Sequence, residues 1–235
     1  MNPNDPNVLR VEVVVEALGD LCDELILVGG CAASLLIDAP TAPPARVTYD
    51  VDLIVEVTAR QGYYAMESRF AKRGFNRDVS EGAPICRWRI RGIEVDLMPT
   101  EESILGFSNR WYPVAAASAD LMTLPSGRRI SLISAPAFLG TKFEAFHTRG
   151  RNDLATSHDM EDIVNVIEGR RGIIEEVAAA EPGLRDYLAM RFQDLLQHQD
   201  FNNTLPGLVT FDELYQSRID AIRKRISMIA ELKMF

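Results

Sequence analysis

Little in this chain suits a stapled, secreted or membrane-spanning molecule. Its three cysteines, Cys22, Cys31 and Cys86, are an odd number without metal-binding spacing, which argues against a disulfide framework or a structural zinc and for a reducing compartment. The opening Met1-Asn2-Pro3-Asn4-Asp5-Pro6 lacks the basic start and apolar core of a signal peptide. The longest apolar stretch, near Leu25 to Ile37, is broken by glycine and too short to cross a bilayer. A cytoplasmic protein with no membrane partner is the expectation. Surplus positive charge is missing as well: the net charge of −9 argues against a broad basic footprint for nucleic acid and leaves room only for a local groove. His147 and His158 have no partner at ligand spacing, so surface or core positions are expected for them. Internal repeats and low-complexity tracts are absent.

What the chain does have, in 235 residues of ordinary globular composition, is a pair of aspartates one residue apart. Asp50 and Asp52 close the run Arg46-Val47-Thr48-Tyr49-Asp50-Val51-Asp52, which follows the pair Gly29-Gly30 and precedes the apolar stretch Leu53 to Val57. Side chains alternate along a strand, so Arg46, Thr48, Asp50 and Asp52 are expected on one face and Val47, Tyr49, Val51 and Leu53 on the core face. Residues i and i+2 stand roughly 6.5–7 Å apart along a strand. Two carboxylates so placed can converge on one divalent ion, or on two ions about 3.5–4 Å apart. Without a cation, the two anions would repel each other on a half-buried sheet face.

The surrounding pattern supplies a frame. Residues 8 to 22 read as a helix, Leu25 to Val28 as a short strand ending at Gly29-Gly30, and Ala32 to Ile37 as a second helix. A strand, a glycine turn and a helix N-terminus together present backbone N–H groups to phosphate. Helix is expected over 60–73, ending at Gly74. Ile85–Ile90 and Ile93–Met98 flank Arg91-Gly92, a two-residue turn that would set Ile90 opposite Ile93, Arg89 opposite Glu94 and Arg87 opposite Asp96. Cys86, Trp88, Ile90, Ile93, Val95 and Leu97 would then fill the core face, and Asp96 would be a third strand-borne carboxylate beside Arg87. Cys31 reads as a small buried residue, and Ser34 as either helix surface or a hydroxyl reaching phosphate.

From Ser134, a candidate N-cap, the pattern turns helical to about Arg149, with Lys142, Ala145 and Arg149 on one stripe. A cation such as Lys142 is expected wherever a triphosphate must be neutralised. Helices are expected over 159–168, 172–180 and 183–198, and Thr210-Phe211-Asp212-Glu213 has the pattern of a capping box opening a last helix. The expected fold class is α+β: a small mixed sheet flanked by helices over residues 1–133, then a helical domain over 134–235.

Several stretches together resemble the DNA polymerase β-like nucleotidyltransferase superfamily, and within it the AbiEii-type bacterial group that includes toxins of toxin–antitoxin systems. They are Val28-Gly29-Gly30-Cys31-Ala32, Arg46 to Leu53, Glu94-Val95-Asp96-Leu97-Met98-Pro99, Thr141-Lys142-Phe143-Glu144-Ala145-Phe146 with Arg149-Gly150, and Ser157 to Ile163. The resemblance implies Mg²⁺, as two ions, on Asp50, Asp52 and Asp96, with Asp96 helping to deprotonate an acceptor hydroxyl. It implies a nucleoside triphosphate cradled by Gly29 and Gly30 and contacted by Lys142, with Arg46 and Thr48 alongside. The chain departs from many members in having Gly30-Cys31 where a serine follows the first glycine. The acceptor stays open among an RNA such as a tRNA end, a protein and a small molecule, and an antitoxin partner is implied for a toxin. Asp153, Asp159 and Asp162 have no assigned role. The rival reading is a non-catalytic nucleotide-binding or interaction module with the same fold.

Overall fold

The computed structural model describes residues 2–149 and 153–232. Within them the architecture is α+β, a seven-stranded mixed sheet and a set of helices. Contacts divide the chain into two compact units: Met1–Leu35 with Val47–Ser134, and Leu36–Arg46 with Ala135–Phe235. The proline-rich link thus belongs by its contacts to the C-terminal helices, whereas the sequence suggested a single boundary after 133.

In the first unit α1 (Pro6–Leu18) and a 3-10 helix (Gly19–Glu24) precede β1 (Leu25–Val28), α2 (Gly29–Leu36), β2 (Asp50–Val55) and α3 (Arg60–Lys72). Then come β3 (Asn76–Arg77), β4 (Arg87–Ile90), β5 (Ile93–Pro99), α4 (Glu102–Leu105), α5 (Tyr112–Ala117), β6 (Asp120–Thr123) and β7 (Arg129–Leu132). Asp5 caps α1 by accepting from the amides of Asn7 (2.8 Å) and Val8 (3.3 Å), with Pro6 in the first turn. The α-helix stops at Gly19, where φ is +60°, so the expected helix over 8–22 ends as a 3-10 turn.

The sheet order is β3-β4-β5-β2-β1-β7-β6. The central strand β2 runs antiparallel to β1 and parallel to β5. The β4–β5 hairpin has the register the sequence indicated, Arg87 opposite Asp96, Arg89 opposite Glu94 and Ile90 opposite Ile93. Its turn residues Arg91 (φ +48°) and Gly92 (φ +81°) both take positive φ, the geometry that matches strand twist in a two-residue hairpin. Behind the sheet, Tyr63 of α3 donates to the carbonyl of Leu97 (2.7 Å), and Phe70 stacks edge-on against Trp88. Val51, Leu53, Val95 and Leu97 are fully buried. Of the other expected core residues Ile93 is half-buried, and Val47 and Tyr49 are 46% and 78% exposed because β2 begins only at Asp50.

The second unit holds α6 (Ala135–Arg149), α7 (His158–Gly169), α8 (Ile173–Ala178), α9 (Pro182–Gln197), α10 (Phe201–Leu208) and α11 (Tyr215–Ala230). Ser157 caps α7 through the Met160 amide (3.2 Å), and Arg225 donates to the carbonyls of Ile167 and Glu168 at its far end (both 2.6 Å). The capping box expected at Thr210 does not form. Asp212 is held by Arg218 (2.8 Å) and accepts from the Leu214 amide (2.9 Å), and the helix begins at Tyr215. No helix among the described residues is long and apolar enough to cross a membrane.

A charged cluster lies inside this unit. Asp162, whose side chain is 1% exposed, accepts from Arg46 (Nε 3.0 Å, Nη2 3.3 Å) and from Lys142 (2.6 Å), and Lys142 also meets Asp159 (3.1 Å). Removing Asp162 would take from Arg46 and Lys142 the buried anion they share, leaving Lys142 with Asp159. Asp162→Ala should lower the unfolding free energy by about 3–5 kcal/mol, read from urea denaturation. A variant within about 0.5 kcal/mol of the parent, the size of a surface-substitution effect, would contradict this account.

Candidate metal centre

The pairing of strands brings the acids together. In the antiparallel β1–β2 pair Val28 lies opposite Asp52, and in the parallel β2–β5 pair Asp50 lies opposite Glu94 and Asp52 opposite Asp96. Alternation then puts Asp50, Asp52, Glu94 and Asp96 on one face of the sheet. Asp50, Asp52 and Asp96 each offer a ligand atom, and these atoms all lie within 4.8 Å of one another. Asp96 is buried, the other two half-buried. Formal charges so close repel by about 1 kcal/mol per pair in water and by more on a half-buried face.

Part of that repulsion is offset by Arg87 from β4. Its fork grips Asp96 with two bonds, Nε to Oδ1 and Nη2 to Oδ2, both 2.8 Å, while Nη1 reaches Glu94 (2.6 Å) and Nη2 lies 3.5 Å from Asp50. The hydrogen bonds that Arg87 donates to Asp96 push its pKa above the ordinary value, so the guanidinium is a permanent cation here. Arg89 joins Glu94 to Asp78 (2.8 Å each), and the Ser80 hydroxyl and amide, followed by Arg89, hold Asp78 down to about 2. Four carboxylates on the face against two guanidiniums still leave formal negative charge. An all-oxygen donor set of this kind suits a hard divalent cation such as Mg²⁺, Mn²⁺ or Ca²⁺.

Neutral contacts fix the backbone around Asp50. Thr48, 5% exposed, donates its hydroxyl to Asp50 Oδ1 (2.6 Å), and its amide donates to Asn7 Oδ1 (3.0 Å). Asn7, itself fully buried in α1, donates in turn to Ser34 of α2 (2.9 Å). Ser34 is therefore a buried acceptor within the scaffold. The Cys31 thiol donates to the Asp50 carbonyl (3.3 Å). Gly29 sits at φ +69°, and a Cβ there would overlap the Asp52 carboxylate. Glycine is needed at this point for both conformation and space.

Of the residues singled out in the sequence, Asp50, Asp52 and Asp96 converge, Gly29 abuts Asp52, Gly30 follows it in the first turn of α2, and Thr48 orients Asp50. Arg46 lies outside β2, does not share the strand face with Thr48, and pairs with Asp162 in the second unit, as does Lys142. The side chain of Arg149 lies outside the described residues. Asn7 and Glu94 carried no mark as site residues. For Glu94 the signal was available: it precedes Asp96 by two and so shares its face. For Asn7 there was none, because its partners are 27 and 41 positions away.

Compared with known proteins, the chain matches no family model and no curated protein. Among solved structures it is similar to JHP933 from Helicobacter pylori, with 11% identity and a TM-score of 0.48, covering 98% of this chain and 94% of that one.

Two measurements check the local geometry. Gly29→Ala should cost at least about 1–2 kcal/mol through its positive φ alone, and should displace Asp52 enough to weaken Mn²⁺ uptake; an unchanged urea midpoint would contradict the strain. The cysteines should be inert. Burial pushes Cys22 up to about 11 and Cys86 up to about 12, and burial beside the charges of Asp52 and Asp50 raises Cys31 further. At pH 8 the thiolate fraction is then small, so iodoacetamide should label none of the three until denaturant is added.

Proposed function

We propose that this protein is a metal-dependent nucleotidyltransferase of the DNA polymerase β-like superfamily, in its AbiEii-type group. The reading rests on one observation: three carboxylates from β2 and β5 within 4.8 Å of each other, beside a glycine turn that opens a helix. Asp50, Asp52 and Asp96 would hold Mg²⁺, as two ions by the resemblance. When bound, such ions offset triphosphate charge and lower the pKa of an acceptor hydroxyl.

The chain's own groups do the rest. The first amides of α2, at Gly29 and Gly30, have no intrahelical acceptor and offer donors to phosphate oxygens. Thr48 holds Asp50 in one orientation through its short hydrogen bond. In the free protein Asp96 keeps lone pairs beyond the two that Arg87 occupies, and in the reaction it accepts the proton of the acceptor hydroxyl. The acceptor oxygen then bonds to the α-phosphorus while the bond to the bridging oxygen breaks in line, and pyrophosphate leaves. The resemblance adds Lys142 to the triphosphate contacts; in the free protein its charge is matched by Asp159 and Asp162.

Acceptors with a free hydroxyl, an RNA end, a protein or a small molecule, are all compatible with this chemistry. The same resemblance makes the chain a candidate toxin acting in the cytoplasm with an antitoxin as partner. Incubation with each α-labelled nucleoside triphosphate, Mg²⁺ and whole-cell extract should place label in one of these classes. Chelation by EDTA should stop the transfer. Asp50→Asn and Asp52→Asn should abolish it while circular dichroism stays that of the parent; equal labelling by both variants would refute the mechanism.

A further inference from the structure

The acids proposed to hold metal already have a cation among them. Arg87 takes both oxygens of Asp96 and approaches Asp50, two of the three residues whose oxygens would ligate an ion. A guanidinium about 5 Å from a divalent ion disfavours that ion by on the order of tenfold, even at the dielectric constant of water. Deprotonation cannot relieve the repulsion, because arginine stays charged. Movement can. The Arg87 side chain is 19% exposed, and its contact with Asp50, at 3.5 Å, is long for a hydrogen bond. Its shortest bond, 2.6 Å, goes to Glu94, which is outside the triad and is itself held by Arg89. Glu94 thus forms a tether about which the guanidinium can swing without leaving the sheet face.

We propose that Arg87 is a resident counter-ion of the acidic triad, which keeps free metal out and exchanges Asp96 for a phosphate oxygen when the metal arrives bound to a triphosphate. The inference rests on the metal-centre reading and deepens it. A divalent ion alone must displace Arg87 without compensation. An ion carrying a triphosphate brings the anion that Arg87 can take, with a bidentate fork suited to phosphate. The site would then load a metal–nucleotide complex in preference to the bare ion. Arg87 is in this account a positioning residue whose removal moves two affinities in opposite directions, which a purely structural role would not do.

The test uses the full chain and Mn²⁺, followed by electron paramagnetic resonance. Arg87→Gln should bind Mn²⁺ alone about tenfold more tightly than the parent, the size of the Coulomb effect. It should bind the Mn²⁺ complex of a non-hydrolysable triphosphate analogue more weakly. Arg87→Lys, which keeps the charge, should stay near the parent for Mn²⁺ alone. Equal or weaker Mn²⁺ binding by Arg87→Gln overturns the proposal. Should that variant fail to fold, the parent protein decides: its Arg87 Nε–H nuclear magnetic resonance signal should shift on addition of Mg²⁺ with the analogue, and an unmoved signal overturns the exchange. Asp52→Asn in the same Mn²⁺ titration checks the metal centre itself. If it binds Mn²⁺ as the parent does, the proposed function loses its site, whatever Arg87 does.

Discussion

The parallel pairing of β2 with β5 is the constraint on which the site depends. It sets Asp52 opposite Asp96 and Asp50 opposite Glu94. Because side chains alternate, a slip of one residue would turn Asp96 into the hydrophobic layer and bring Leu97 or Val95 to the polar face. Burial forbids the slip: Val95 and Leu97 are fully enclosed, and exposing either would cost about 1.5–3 kcal/mol. The β4–β5 turn enforces the same register from the other side, since Arg91 and Gly92 at positive φ permit a two-residue connection. Tyr63 adds a third hold by bonding the Leu97 carbonyl from α3. Core packing, turn chemistry and a cross-layer hydrogen bond thus all specify where one carboxylate lies.

Placing acids together is the harder half of the design. Four carboxylates on one face would push the strands apart if nothing opposed them, and the opposing charges come from the neighbouring strand at matched positions, Arg87 against Asp96 and Arg89 against Glu94. Around Asp50 the supports are of another kind. Thr48, Asn7, Ser34 and Cys31 form neutral hydrogen bonds to side chain or backbone. They hold geometry without adding charge, so the formal negative surplus of the face survives. A charged residue at any of these buried positions would either cancel that surplus or carry a desolvation penalty of its own.

The strand-level pattern was legible because it is local. Leu25–Val28, the β4–β5 register and the face taken by each aspartate of β2 and β5 follow from alternation and one short turn, each decided within its own strand or hairpin. The α+β class followed from the same periodicities. What escaped was decided over distance. Arg46 looked like a strand neighbour of Thr48, yet Asp162, more than a hundred positions away, draws it into the helical unit. Tyr49 and Val47 alternate correctly for core but precede the first paired residue of β2, so alternation had no sheet to act on. The capping pattern at Thr210 goes unused: the helix begins only at Tyr215, and Asp212 within the pattern bonds Arg218 and the Leu214 amide instead. The β6–β7 hairpin and α10 had no clear periodic signal in the sequence. Pro206 lies inside α10 and further obscures it.

Gly29 shows how little slack the arrangement has. The same residue must turn the chain at positive φ after β1 and leave empty the volume that the Asp52 carboxylate fills. Helix α2 begins at that residue, so its first backbone N–H groups follow directly on the glycine that packs against the Asp52 carboxylate. The start of the helix and the carboxylate are held close by the packing of that glycine and by the β1–β2 pairing that sets Val28 opposite Asp52. Rigid placement of opposite partial charges costs nothing at the moment a ligand binds, which is where preorganised sites derive their advantage over water. A side chain of any size at position 29 would push the Asp52 carboxylate away from the start of α2.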